Sequence, residues 1–160
     1  MFDFLFKKEP LKVGELAPDF SLPSQNGNVI RLSQFRERTC VVLYFYPKDN
    51  TYGCIAESCD FRDSYEIFKE SKVEVIGISS DSPSSHRNFA EKYKLPFILL
   101  SDEKNEVRKL YRVPPTMGVI PGRVTFVIDK QGIIRHVFSS QFNPKSHVEE
   151  ALRIIKESNS

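Results

Sequence analysis

The chain has 160 residues, with 23 Lys plus Arg against 21 Asp plus Glu and a formal net charge of +2. That length suits one domain of roughly 100–200 residues whose core is large enough to fold unaided. The near balance of charge argues against a nucleic-acid-binding polycation or a basic membrane-surface protein. Hydrophobic residues make up 40% and charged residues 28%, a globular composition unlike that of disordered chains.

The longest apolar run, Cys40 to Tyr46, is seven residues, far short of the roughly 18 that cross a bilayer. The apolar start, Phe2 to Phe6, is interrupted by Asp3 and followed by Lys7-Lys8, the reverse of the charge order in a secretory signal. No export or transit peptide is expected. Three cysteines are too few for a disulfide-stapled scaffold, and the odd count leaves one thiol unpaired, which fits a reducing, intracellular setting.

In chain order, Phe20-Ser21-Leu22 and Val29 to Leu32 flank an Asn26-Gly27 turn and read as a hairpin. The run 40–46 predicts a central strand buried on both faces. Phe61, Tyr65 and Phe68 follow a helical period with Cys54 on the same stripe, predicting one amphipathic helix from Cys54 to Glu70. Val73 to Ser79 reads as a strand, and Ser82-Pro83 opens a helix with Phe89, Ala90 and Tyr93 inward. Pro96 to Leu100 predicts a strand, and Glu103 to Arg112 a helix with Val107, Leu110 and Tyr111 on one side. Five Pro and Gly residues between Val113 and Gly122 make a loop. Arg123–Ile128 and Ile133–Phe138 form a hairpin around Asp129 to Gly132, and Val148, Leu152 and Ile155 mark a closing helix. No repeat or linker divides the chain. The order predicts a thioredoxin-like α/β fold over residues 1–160: a central mixed sheet flanked by helices, with an N-terminal β-hairpin and a loosely packed segment at 1–12.

The chemistry concentrates in Tyr46 to Phe61, where the central strand passes into the helix, a junction at which α/β sheets bind ligands. Cys54 at the helix start faces unpaired N–H groups and the positive end of the helix dipole, which favour thiolate. Cys59, five residues on, stands about 8–9 Å away by Cα and about 140° around an intact helix. A disulfide needs Cα atoms within about 7 Å, so the two bridge only if the helix start unwinds. A zinc site would need about four clustered ligands, and the chain offers no C-x-x-C and three histidines far apart in sequence.

Pro47, Thr51 and Cys54 match a Pro-x-x-x-Thr-x-x-Cys pattern, and the stretch resembles the active-site motif of peroxiredoxins. Glu57, Phe61 and the second cysteine at Cys59 resemble the peroxiredoxin Q or bacterioferritin-comigratory-protein branch. Val75 to Ser79, His86 to Ala90, Lys94 to Phe97, Leu100 to Glu103 and Pro121 to Thr125 extend the resemblance over most of the chain. The sequence departs from that branch at Tyr52 and Ile55, where proline and threonine are usual. An aromatic at Tyr52 is in a position to cover or shape the peroxide entrance.

The resemblance implies an atypical two-cysteine thiol peroxidase. Cys54 attacks hydrogen peroxide or an organic hydroperoxide, Cys59 condenses with the resulting sulfenic acid, and thioredoxin or a similar dithiol protein reduces the disulfide. Arg123 carries the family's arginine, able to stabilise the thiolate and orient peroxide oxygens. Thr51 holds thiolate and peroxide in line, Pro47 shapes the pocket, and Glu57 and Gly53 support the site, Glu57 by orienting Arg123. No metal, haem, flavin or other cofactor, no nucleic acid and no membrane is implied. The expected state is a monomer in a bacterial cytoplasm, with a plastid as the alternative.

Cys40 reads as an inert packed thiol and His86 as a satisfied, partly buried histidine. His136 and His147 read as surface residues, residues 2–6 as a frayed terminus, and Ser82 to Ser85 as a helix cap. Two other functions compete. A general dithiol oxidoreductase would carry cysteine where Thr51 stands, and a redox-triggered holdase would capture clients with little turnover.

Overall fold

The computed structural model describes residues 9–114, 122–140 and 143–158. The hairpin forms as the turn signal predicts: β1 (Ser21–Pro23) and β2 (Val29–Arg31) pair antiparallel. Gly27, at φ 84°, supplies the left-handed backbone of the turn. A 3-10 turn, Leu32–Phe35, leads to β3 (Cys40–Phe45). On one side of β3, β4 (Val73–Ser79) and β5 (Ile98–Ser101) run parallel to it. On the other, β6 (Val124–Ile128) and β7 (Ile134–Ser139) add antiparallel, giving the order β5-β4-β3-β6-β7. The most apolar run therefore occupies the middle of a mixed five-stranded sheet.

The side chains of β3 alternate between two layers. Val41, Leu43 and Phe45 pack with Leu11, Phe20, Val107, Tyr111 and Phe126 on one face. Val42, Tyr44 and Tyr46 pack with Cys54, Phe61, Phe68, Phe89 and Val148 on the other. Leu11 is buried and donates its N–H to the Tyr111 carbonyl. The expected loose segment is therefore anchored by this residue, while residues 1–8, including the Phe-rich stretch, lie outside the described residues, as do 115–121 of the loop.

Two helices differ from expectation. The single helix predicted from Cys54 to Glu70 is two, α1 (Tyr52–Asp63) and α2 (Tyr65–Glu70), because Ser64 at φ −100°, ψ 2° leaves helical geometry. Serine favours helix ends over interiors. After α3 (Pro83–Tyr93), which opens on the expected Ser82 cap, the predicted 103–112 helix shrinks to α4 (Glu106–Leu110). Asn105 at φ 58° and Arg112 at φ 54° are both left-handed and close it at each end. Val107 and Tyr111 are buried as expected, but Leu110 is 47% exposed. The chain closes with α5 (Pro144–Ser158), Val148, Ala151 and Ile155 inward.

Tyr44 ties the centre of the sheet to α1. Its ring stacks on Phe61 at 4.5 Å between centroids, and its hydroxyl hydrogen-bonds with Ser58 at 3.0 Å. The ring lies over Gly77, where an added Cβ would sit 2.7 Å from Tyr44 Cζ and 3.0 Å from Leu99 Cδ2. Gly77→Ala is expected to cost about 1–3 kcal/mol by overpacking. Urea unfolding monitored by circular dichroism measures it, and unchanged stability would show that the ring moves aside freely.

Candidate active site

The site forms where the sheet stops. Tyr46 donates its N–H to Ile78, and Pro47, with no N–H, cannot extend the ladder. The segment 47–51 then turns through Asn50 at φ 62°. Asp49 holds it down: its N–H donates to Asp81, and its buried carboxylate accepts from the hydroxyls of Tyr46 (2.6 Å) and Ser85 (2.9 Å). The carboxylate also contacts His86 Nδ1 at 2.7 Å, and His86 Nε2 reaches the Leu100 carbonyl at 2.9 Å. His86 is thus satisfied as expected, but fully buried. Asp49, Asp81 and His86 bring metal-ligand atoms within 4.8 Å of one another, a grouping the sequence did not reveal. Hydrogen bonds to the loop and neighbouring hydroxyls already engage them.

Thr51, extended at φ −91°, ψ 151°, is the N-cap of α1, so Cys54 falls in the first turn beside backbone N–H groups that have no helical partner. Its thiol points inward and is fully buried. Arg123, one residue before β6, reaches it there: Nη2 donates to Cys54 Sγ at 3.4 Å and Nη1 to Glu57 Oε1 at 2.5 Å. Gly53 leaves room for the approach, since a Cβ there would sit 3.1 Å from Arg123 Nη2 and press the guanidinium back by a few tenths of an ångström. Burial pushes the Glu57 carboxyl up to about 8, with Arg123 pulling the other way. At Arg123 burial acts downward, but the charges of Glu57 and Cys54 outweigh it and raise the guanidinium.

Cys54, Arg123, Glu57 and Gly53 thus meet, while three other expected residues stand apart from this contact. The Thr51 hydroxyl donates to the Lys48 carbonyl at 2.8 Å, and Pro47 is half-buried at the start of the loop. Cys59 lies on another side of α1, half-buried, its thiol pushed up by burial. It opens onto a groove of about 260 Å³ bordered by Tyr52, Ile55, Ala56, Asp60 and Lys145. Tyr52 is 91% exposed, so in this structure the aromatic borders the Cys59 groove and does not cover Cys54. Cys40, at the opposite end of β3, is half-buried and packs against the inner layer as expected, and it edges a cleft of about 440 Å³ with Val73, Val127 and Arg135. Burial raises its thiol.

Two neighbours escaped the sequence reading. His147, expected at the surface, is fully buried because the first turn of α5 packs on α1. Its Nε2–H donates to the Ser140 carbonyl at 2.7 Å, which leaves Nδ1 to accept from the Thr125 hydroxyl at 2.8 Å. Nδ1 lies 3.7 Å from Glu57 Oε2, an oxygen with no hydrogen-bond partner among the described residues. The spacing His147, Ala151, Ile155 was a usable signal, since i, i+4, i+8 share a helix face. The other is Arg108, buried on α4, and no local pattern marks it.

The AhpC/TSA family pattern matches residues 13–137. The chain belongs to this family. It is a peroxiredoxin, and its relatives are peroxiredoxins Q: the chloroplastic protein of Populus jackii is 49% identical over 144 residues, 89% of this chain and 67% of the relative. The chain thus spans about two thirds of that relative's length. Among solved structures, BcpB of Mycobacterium tuberculosis superposes with a TM-score of 0.86 at 36% identity, covering 94% of this chain and 99% of that one. The bacterioferritin comigratory protein of Xanthomonas campestris, described for its alkyl peroxide reduction activity, gives 0.82 at 25%, covering 95% and 100%. Family and fold agree with the resemblance that the motif carried.

Burial lowers His147 from 6.5 to about 4, against the Ser140 carbonyl and with help from Arg123. Between those values the unfolded chain binds a proton that the native peroxiredoxin does not, so stability is lost as pH falls from 6.5 toward 4, by on the order of 3 kcal/mol. His147→Gln is expected to flatten that acid limb in chemical denaturation, and an equally steep limb would contradict the buried neutral imidazole.

Proposed function

We propose that this peroxiredoxin reduces hydrogen peroxide and organic hydroperoxides with Cys54 as nucleophile and Cys59 as resolving thiol. The observation that carries the reading is the Arg123 guanidinium, bonded at once to Cys54 Sγ and Glu57. It offers a fixed positive charge to a thiolate, and then to the oxygen anion that departs from the peroxide. The thiolate attacks one peroxide oxygen, the O–O bond breaks, and the departing oxygen takes a proton as water or alcohol, leaving Cys54 as a sulfenic acid. Thr51, at the helix cap, holds the peroxide once its hydroxyl swings from Lys48, and Pro47 keeps the loop closed against water.

Resolution requires motion. Cys54 is inward and Cys59 faces the groove, with Cα atoms about 8–9 Å apart on a continuous helix. The first turns of α1 unwind, Cys59 attacks the sulfenic sulfur, water leaves, and the disulfide forms. A thioredoxin-like dithiol protein then returns both thiols. We assign the protein to a monomeric state and a bacterial cytoplasm, with a plastid as the alternative that the chloroplastic relative favours. No helix among the described residues is long and apolar enough to cross a membrane.

One equivalent of hydrogen peroxide added to the reduced protein is expected to remove about 2 Da, mapped to a Cys54–Cys59 bridge. Cys54→Ser abolishes both the mass loss and turnover, and Cys59→Ser stops at the sulfenic acid. An unchanged wild-type mass would end the peroxidase reading.

A further inference from the structure

The register of β3 and β6 brings two chain ends together just beyond the sheet. Phe45 pairs with Val124, so Tyr46 and Pro47 run alongside Arg123 and Gly122 after the last paired position. Pro47 has no N–H with which to continue the ladder. Backbone carbonyls in this buried place need donors from elsewhere. Arg108 supplies both: Nη1 donates to the Gly122 carbonyl at 2.7 Å and Nη2 to the Tyr46 carbonyl at 2.7 Å. These are the carbonyls of the residues immediately before Arg123 and Pro47. Gly122 is tightly placed, since a Cβ there would fall 1.9 Å from the Pro114 carbonyl oxygen.

We propose that Arg108 is a positioning residue of the peroxidase site, its guanidinium clamping the Pro47 and Arg123 chain ends together and presenting Cys54 with a second positive charge. The proposal rests on the peroxidase reading. Unlike Arg123, Arg108 has no carboxylate bonded to its guanidinium among the described residues. Asp102 uses its oxygens to accept the N–H groups of Val107 and Arg108 itself. Burial draws Arg108 down to about 10, with the charges of Asp102 and Cys54 acting upward and that of Arg123 downward, so it stays charged at neutral pH. Within electrostatic reach of Cys54 are Tyr44 from β3, Arg108 from α4 and Arg123 before β6, of which Arg123 touches the thiol; Glu57 from α1 is bonded to Arg123, and His147 of α5 stands 3.7 Å from Glu57. Two arginines against one carboxyl leave net positive charge where a thiolate must sit. The planar fork suits a two-carbonyl clamp in a way that the single ammonium of lysine does not.

The test compares wild type, Arg108→Met and Arg108→Lys in two assays: the second-order rate with hydrogen peroxide, and the pH profile of Cys54 alkylation mapped by peptide mass. Arg108→Met is expected to lose about 100-fold in rate and to move the alkylation midpoint up by about one unit. Arg108→Lys is expected to bring the midpoint back while leaving most of the rate loss, since charge returns and the clamp does not. A folded Arg108→Met with rate within about threefold of wild type, or with an unmoved midpoint, overturns the proposal, because a merely structural arginine would lower the melting temperature without moving the profile. If Arg108→Met does not fold, Arg108→Lys decides: a wild-type rate, or a midpoint as far up as one unit, overturns it. Failure of the peroxidase reading shows separately, as wild-type Cys54 that alkylates but does not react with peroxide.

Discussion

The contact between the Arg123 guanidinium, the Cys54 thiol and the Glu57 carboxyl is the constraint around which the rest is arranged. All three groups are buried, and burying charge is costly unless it is paired and hydrogen-bonded. The fold meets that cost from three directions. The start of α1 brings Cys54 and Glu57 to one side of a helix, β6 delivers Arg123 from the far edge of the β3 pairing, and the absence of a side chain at Gly53 lets the guanidinium close in. Moving any of these by an ångström separates the donor from the sulfur.

The same burial sets a conflict that drives the cycle. A thiol buried in the layer that also holds Tyr44, Phe61 and Val148 is shielded for attack on a small peroxide, yet it is out of reach of Cys59. In the cycle proposed above, the helix that creates the site therefore comes apart to complete turnover. At its start Thr51 makes no side-chain cap and Tyr52 is in solvent, while Cys54 and Glu57 are held just beyond them by Arg123. The loop before it is anchored firmly by Asp49 and His86.

Much of this was legible in the sequence, for identifiable reasons. The run 40–46, the Asn26-Gly27 turn and the Ser82-Pro83 cap are local signals, and each formed its element. The Pro47, Thr51, Cys54 spacing marked the stretch in which Cys54 meets Arg123, and five-residue helical geometry forecast that Cys54 and Cys59 stand on different sides of α1. Local patterns failed where a break in the backbone or a tertiary contact decides. Ser64 divides a helix that periodicity continued, and left-handed Asn105 and Arg112 cut another to five residues. His147 looked like a surface residue, although its spacing from Ala151 and Ile155 pointed inward. Arg108 gave no signal, because its partners at Tyr46 and Gly122 are joined only by the sheet register.

The most direct test of the account is the rate at which peroxide converts Cys54 to sulfenic acid in Arg123→Gln, followed by stopped-flow mixing and dimedone trapping against wild type. Removing the buried charge while keeping a polar side chain is expected to slow the step by about 100-fold or more, with Cys54 still present and alkylatable. A rate within a factor of a few of wild type would mean that the guanidinium contact is not what activates the thiol.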